Sequence, residues 1–240
     1  MAPRVNYVLC AWSGKRRTPD VRREVDGAFY LRTHLRSLRD LRHRLDQITL
    51  MVPENQAEPP EFRELLRQLP PRVRDTPIVV MERPNIGLSY GSLSDCFARY
   101  RCDFDYYFFM EDDYVFTQHE FDRLHVEEME ADPKCGYLCG LAWTNGLPLH
   151  AGIANGIMRA TALERVFSSF GGKIPHANDA SYRLGEATGQ VGQSQAILST
   201  GYTLKDWKGK YRVLFREHTG DLKEFHSDQK VTSPLMMRPV

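Results

Sequence analysis

Phe104-Asp105-Tyr106-Tyr107-Phe108-Phe109-Met110-Glu111-Asp112-Asp113-Tyr114-Val115 joins a run of aromatic and apolar residues directly to three consecutive carboxylates. Asp105 to Met110 reads as a short strand buried on both faces, because it is nearly continuous rather than alternating. Glu111, Asp112 and Asp113 follow at its carboxyl end. Three adjacent negative charges beside a core strand need partners, since an unpaired buried charge costs several kcal/mol. A solvated acidic turn would meet that need with water. A hard divalent cation held by oxygen ligands would meet it too, and at the end of a core strand that points to phosphate chemistry.

Around this stretch the chain alternates strand and helix. Tyr7 to Trp12 reads as the first strand, closed by Ser13-Gly14 and followed by the basic loop Lys15-Arg16-Arg17. Leu31, Leu35, Leu38, Leu41 and Leu45 recur at helical spacing, with Arg32, Arg36, Arg39 and His43 on the other side. That basic stripe reads as a solvated face, with peripheral contact to anionic lipid as the alternative. Gln47 to Val52 is the second strand, ending at Pro53-Glu54-Asn55. Glu61 to Leu69 is a short helix, and Ile78 to Met81 the third strand. Such alternation predicts right-handed crossovers and a mainly parallel sheet flanked by helices.

The third strand runs into Glu82-Arg83-Pro84-Asn85-Ile86-Gly87, ahead of a helix expected over Ser92 to Tyr100. Asn85 and Gly87 suit a tight turn that lets backbone approach a ligand. Arg83 is placed to pair with a phosphate or a base edge. With the acidic triplet, this turn describes a nucleotide pocket.

Composition narrows the class. The chain has 240 residues, 42% hydrophobic and 26% charged, as expected of a globular protein with a substantial core. Its 32 basic and 31 acidic residues nearly cancel, so net charge gives no argument for a nucleic-acid partner. No run approaches the roughly 18 apolar residues of a membrane span. Cys10, Cys96, Cys102, Cys135 and Cys139 are odd in number and lack CxxC spacing, which suits free thiols in a reducing, cytoplasmic setting.

The order of elements, the Asn85-x-Gly87 turn before a helix and the acidic motif after an aromatic strand resemble a GT-A glycosyltransferase of the family-2-like type. The resemblance covers about residues 5–115 well and 135–207 more loosely. It implies an α/β, Rossmann-like central sheet with a smaller mixed sheet on the acceptor side, spanning residues 1–240 as one catalytic domain. About 1–115 would bind the nucleotide-sugar, and about 116–240 would form the acceptor half and C-terminal extension.

In function, the resemblance implies metal-dependent sugar transfer from a nucleotide-sugar donor, UDP-linked, to a glycan or other hydroxyl acceptor. Asp113 would bind Mn2+ or Mg2+, and Glu111 or Asp112 would reach the ribose or a metal-bound water. Ala11, Trp12 and Glu54 would border the base. His218, in an HxxGxxK-like segment one residue short, would complete the metal shell, and Lys223 would neutralise the diphosphate. The catalytic base falls to Glu186 first and Asp179 second, because Gly189 to Gln195 holds no carboxylate.

Two further readings stay open. One is a nucleotidyltransferase on a related sheet that makes a nucleotide-sugar, although Ser13 to Pro19 carries only one of the glycines expected of its phosphate loop. The other is a non-catalytic nucleotide- or sugar-binding module.

Overall fold

The computed structural model describes residues 2–14, 27–55, 58–144, 147–151, 155–179, 185–207, 210–213 and 224–226. Strand β1 (Val5–Cys10) is buried at every position. It lies between β2 (Gln47–Pro53) and β5 (Tyr106–Glu111) and is parallel to both, with Cys10 level with Met51 on one side and Glu111 on the other. β4 (Thr76–Arg83) continues the parallel run beyond β2 and brings Arg83 level with Pro53. Two-residue β3 (Arg72–Val73) closes that edge in the antiparallel sense.

On the other side, β10 (Asn155–Arg159) runs antiparallel to both β5 and β7 (Cys135–Cys139). β11 (Thr203–Asp206) then pairs parallel with β7. The order is β11-β7-β10-β5-β1-β2-β4-β3. The chain therefore builds outward from β1 through β2 to β4 and then crosses back to lay β5 on the opposite flank of β1. Such a reversal opens a crevice at the carboxyl ends of the two flanking strands.

The side-chain period of two explains the layers. Tyr106, Phe108 and Met110 join Tyr7, Leu9, Leu31, Leu38, Phe62 and Phe121 in one core. Tyr107 and Phe109 join Val8, Leu93, Phe97, Leu163 and Ile197 in the other. Helices α1 (Gly27–Asp40), α2 (Pro60–Arg67) and α4 (Phe121–Ala131) cover the first face. α3 (Leu88–Tyr100), α5 (Ala160–Ser169) and α6 (Gly192–Ser199) cover the second. Phe108 is fully buried, so Phe108→Ala would remove about 3–5 kcal/mol.

α1 forms because Ala28, Tyr30, Leu31, His34, Leu35 and Leu38 fall on one buried stripe, while Arg32, Arg36 and Arg39 stay exposed. α2 opens on Pro60, whose fixed φ suits a first helical position. No helix among the described residues is long and apolar enough to cross a membrane.

Several boundaries differ from the sequence expectation. The third long strand extends to Arg83, and α3 begins at Leu88 rather than Ser92. Gly87 and Leu88 both adopt positive φ, +74° and +53°, and this left-handed pair turns the chain straight into the helix. The stretch before α6 contains the π-helical turn Gly185–Val191. Short β6 (Tyr114–Phe116), unmarked in the sequence, pairs with β12 (Lys210–Val213), which also pairs with β13 (Glu224–His226), while β8 (Ala142–Trp143) and β9 (His150–Ala151) pair antiparallel with each other.

Candidate functional site

The carboxyl ends of β1, β2, β4 and β5 are tied together by backbone. The Ala11 N–H donates to the Met51 carbonyl at 3.0 Å, Glu54 N–H to Arg83 at 2.8 Å, and Asp112 N–H to Cys10 at 3.2 Å. These bonds bring Ala11, Trp12, Glu54, the turn at Pro84 to Gly87 and the acidic triplet to one edge of the sheet. That edge lies at the point where the strand order reverses.

The three carboxylates take different surroundings. Glu111 is half-buried and its Oε1 accepts from Ser89 Oγ at 2.8 Å. Asp112 is fully buried, and its Oδ2 accepts the Trp12 backbone N–H at 3.0 Å. Asp113 is 8% exposed. A backbone donor thus supplies part of the partnering that the sequence assigns to a cation.

Among the described residues no group of three or more His, Cys, Asp or Glu side chains converges to hold a metal. Mg2+ and ions like it commonly take one or two protein carboxylates and complete their shell with substrate phosphates and water. Asp113 with Glu111 fits that smaller donor set.

Arg83 faces inward. It is 6% exposed; its Nε donates to Asp95 Oδ2 at 2.5 Å, Nη2 to the Ile86 carbonyl at 2.5 Å and Nη1 to Leu88 at 3.4 Å. The fork expected to meet a phosphate instead fastens the turn to α3. Asn85 lies partly exposed in that turn, and its buried Oδ1 has no hydrogen-bond partner among the described residues.

Gly87 donates its N–H to the Asp179 carbonyl at 2.7 Å, which seats the 174–179 segment against the turn. A Cβ on Gly87 would stand 2.4 Å from His176 Nδ1. Asp179 therefore reaches the rim by its backbone, and its side chain is exposed. Glu186 falls in the π-helical turn, but its side chain lies outside the described residues. His218, Lys223 and the loop Lys15 to Arg17 also lie outside them.

Burial and charge shape the rest of the edge. Cys10 closes β1 with its thiol pushed well up, first by burial and then by the neighbouring Glu111 carboxylate, so it stays protonated and unreactive. His34 of α1 lies beneath the acidic turn, buried, with its imidazole lowered to about 4 by desolvation. His34 and Ser89 both touch the triplet, yet neither stands out in the sequence. The one available signal for His34 was a polar residue among the apolar positions of α1.

No family model matches the chain, and no curated protein matches it. Solved structures do. A cytidylyltransferase from Leptospira borgpetersenii serovar Hardjo-bovis (strain JB197) superposes with a TM-score of 0.51 at 12% identity, covering 85% of this chain and 76% of that one. A 4-diphosphocytidyl-2C-methyl-D-erythritol synthase from Anaerococcus prevotii DSM 20548 gives 0.49 at 9% identity, over 92% and 96% of the two chains. Identities this low speak to fold alone, and the Leptospira enzyme carries the comparison.

The GT-A glycosyltransferase resemblance is corrected by this match, and with it the GT-A sheet, the UDP-sugar donor, the glycan acceptor and glycosyl transfer. The physical reason is that an acidic cluster after a core strand and a glycine turn before a helix serve any phosphate-binding edge of a parallel sheet. They do not specify which bond of the nucleotide breaks.

Proposed function

We propose that the chain is a nucleotidyltransferase that takes a nucleoside triphosphate, CTP first among candidates, and moves its nucleotidyl group to an oxygen of a small sugar-like acceptor. The acceptor oxygen attacks the α-phosphorus, the bond to the β-phosphate bridge breaks, and pyrophosphate leaves with the electron pair. One observation carries this reading. The ends of β1, β2, β4 and β5 are levelled into a single edge at the strand-order reversal, on the fold of a cytidylyltransferase.

Trp12 and Glu54 border the position of the base. The orphaned Asn85 Oδ1 is an acceptor that an exocyclic amino group would satisfy. Lys15, Arg16 and Arg17 follow the first strand and supply positive charge for the triphosphate. A Mg2+ or Mn2+ ion held by Asp113 with Glu111 would neutralise charge on the phosphates when bound. A phosphate or carboxylate acceptor is already ionised and needs no base. A hydroxyl acceptor does need one, and Glu186, then Asp179, are the carboxylates assigned to it. The five free cysteines, four of them buried, support a reducing compartment such as the cytoplasm.

Calorimetric titration of CTP, UTP, ATP and GTP with Mn2+ present, followed by pyrophosphate release from the tightest binder over a panel of sugar acids and sugar phosphates, tests the proposal. Saturable triphosphate binding with acceptor-dependent pyrophosphate release is expected. Binding without release under every acceptor would favour a non-catalytic module, and no triphosphate binding would end the reading.

A further inference from the structure

Beneath the acidic turn, three contacts among the described residues hold Asp112. Its N–H donates to the Cys10 carbonyl at 3.2 Å, its carboxylate accepts from Trp12, and its own carbonyl lies 3.3 Å from His34 Nδ1. A carbonyl only accepts, so His34 must carry its proton on Nδ1. Nε2 is then a lone pair, and it faces the Tyr7 hydroxyl at 2.8 Å. That hydroxyl is fully buried and keeps its proton, because burial pushes the phenol well above its ordinary value. Tyr7, His34 and Asp112 therefore form a donor chain of fixed direction, running from β1 through α1 to the peptide that joins Asp112 to Asp113.

We propose that His34 is a positioning residue, whose Nδ1–H fixes the Asp112–Asp113 peptide plane and so aims the Asp113 carboxylate at the cation and phosphates of the nucleotide edge. The inference rests on the nucleotidyltransferase reading, because it needs a cation and a triphosphate at that edge. A hydrogen-bonded second layer of this kind sets ligand direction in metal sites generally. The competing role for His34 is packing, since its ring meets Tyr7 edge-on at 5.7 Å between centroids.

Two amide substitutions separate these roles. Asn places its side-chain nitrogen near the position of Nδ1 and can still donate to the Asp112 carbonyl. Gln places its nitrogen near Nε2 and cannot. Mn2+ affinity in the presence of CTP is read by electron paramagnetic resonance, CTP affinity without metal by calorimetry, and melting temperature by calorimetric scan.

The expected result is that His34→Asn stays close to wild type in Mn2+ affinity. His34→Gln should lose about tenfold or more, as second-layer changes commonly do, with metal-free CTP affinity unchanged in both. Equal Mn2+ affinities in the two variants would overturn the positioning role and leave the nucleotidyltransferase reading standing. A wild-type protein that binds no triphosphate in the presence of Mn2+ would end both. Should either variant fail to fold, nitrogen-15 spectra of wild-type histidine decide instead. A His34 protonated on Nδ1 is expected, and one protonated on Nε2 alone would overturn the proposal.

Discussion

Asp112 accepts the backbone N–H of Trp12 at 3.0 Å, a contact between the ends of two neighbouring parallel strands that stand 100 positions apart in the chain. The next residue, Asp113, shares the acidic turn, and the proposed function gives it a different task, holding the cation. Asp112→Ala should therefore lower stability by about 1.5–3 kcal/mol, the range for a charge-assisted bond, and shift the melting point by roughly 2–4 °C for each kcal/mol. Asp113→Ala should leave the melting point nearer wild type and remove the metal-dependent part of CTP binding. Paired thermal scans and titrations check the split, and an interchange of the two phenotypes would reverse the assignment.

Gly87 makes the second prediction. Its φ of +74° lies in the left-handed region, and a methyl group there would meet His176 Nδ1 at 2.4 Å. Gly87→Ala should cost about 1–2 kcal/mol for the backbone alone, with a further cost for displacing the ring. In the double variant with His176→Ala, the steric share should return and the backbone share remain. Urea melts of the two single variants and the double supply the comparison. Strict additivity would mean that the ring is no obstacle.

Continuous apolar runs and leucine spacing make β1, β2, β5 and α1 legible, because buried strands and amphipathic helices each impose a period on the chain. The same logic puts Trp12, Glu54, Asn85 and Glu111 at one edge of the sheet, since all four close such runs. Reading stops where partners are distant. Arg83 looks free for a phosphate until α3 brings Asp95 beside it, and His34 resembles an ordinary core position until β5 delivers the Asp112 carbonyl. Short β6 has three residues and no period to detect. The glycosyltransferase resemblance failed for a related reason: an acid-rich strand end and an Asn-x-Gly turn state that phosphate can bind there, not which reaction follows.

Acid should weaken the fold through its buried histidines. His125 is lowered to about 3 and His34 to about 4, both chiefly by desolvation, against an ordinary value of 6.5. His125 also donates Nδ1–H to the Phe121 carbonyl at 2.6 Å and stacks on Trp207 at 3.7 Å, while its buried Nε2 has no partner among the described residues. The unfolded chain takes up protons near pH 6.5 that the folded chain refuses until about pH 4 at His34 and pH 3 at His125. Stability is therefore full above 6.5 and falls as pH drops through that window, by roughly 1.4 kcal/mol per pH unit for each histidine. His43 is lowered too, which adds the same sign. His125→Phe keeps the stack and removes one titrating group. Its stability curve between pH 6 and 4 should be shallower by about one proton's slope, and denaturant melts across that range showing an unchanged slope would refute the assignment.

The inward guanidinium of Arg83 gives the last prediction, because structure and phosphate binding demand opposite phenotypes from one conservative change. Arg83 is 6% exposed, whereas its partner Asp95 is 46% exposed. Removing the acid strands a buried cation, so Asp95→Ala should cost about 2–3 kcal/mol. That is below the range of about 3–5 for a fully buried pair, because water already screens the aspartate. Lysine cannot hold Asp95, Ile86 and Leu88 at once, since it lacks the planar fork. Arg83→Lys should therefore lower the melting point and loosen the turn at Asn85 and Gly87, with CTP affinity falling only as a consequence of that loosening. If the guanidinium served the phosphates directly, the same variant would melt like wild type and lose affinity at low temperature, where the turn is fully formed. Titration at 10 °C beside a thermal scan distinguishes the two, and an unshifted melting point with weakened binding would return Arg83 to the nucleotide.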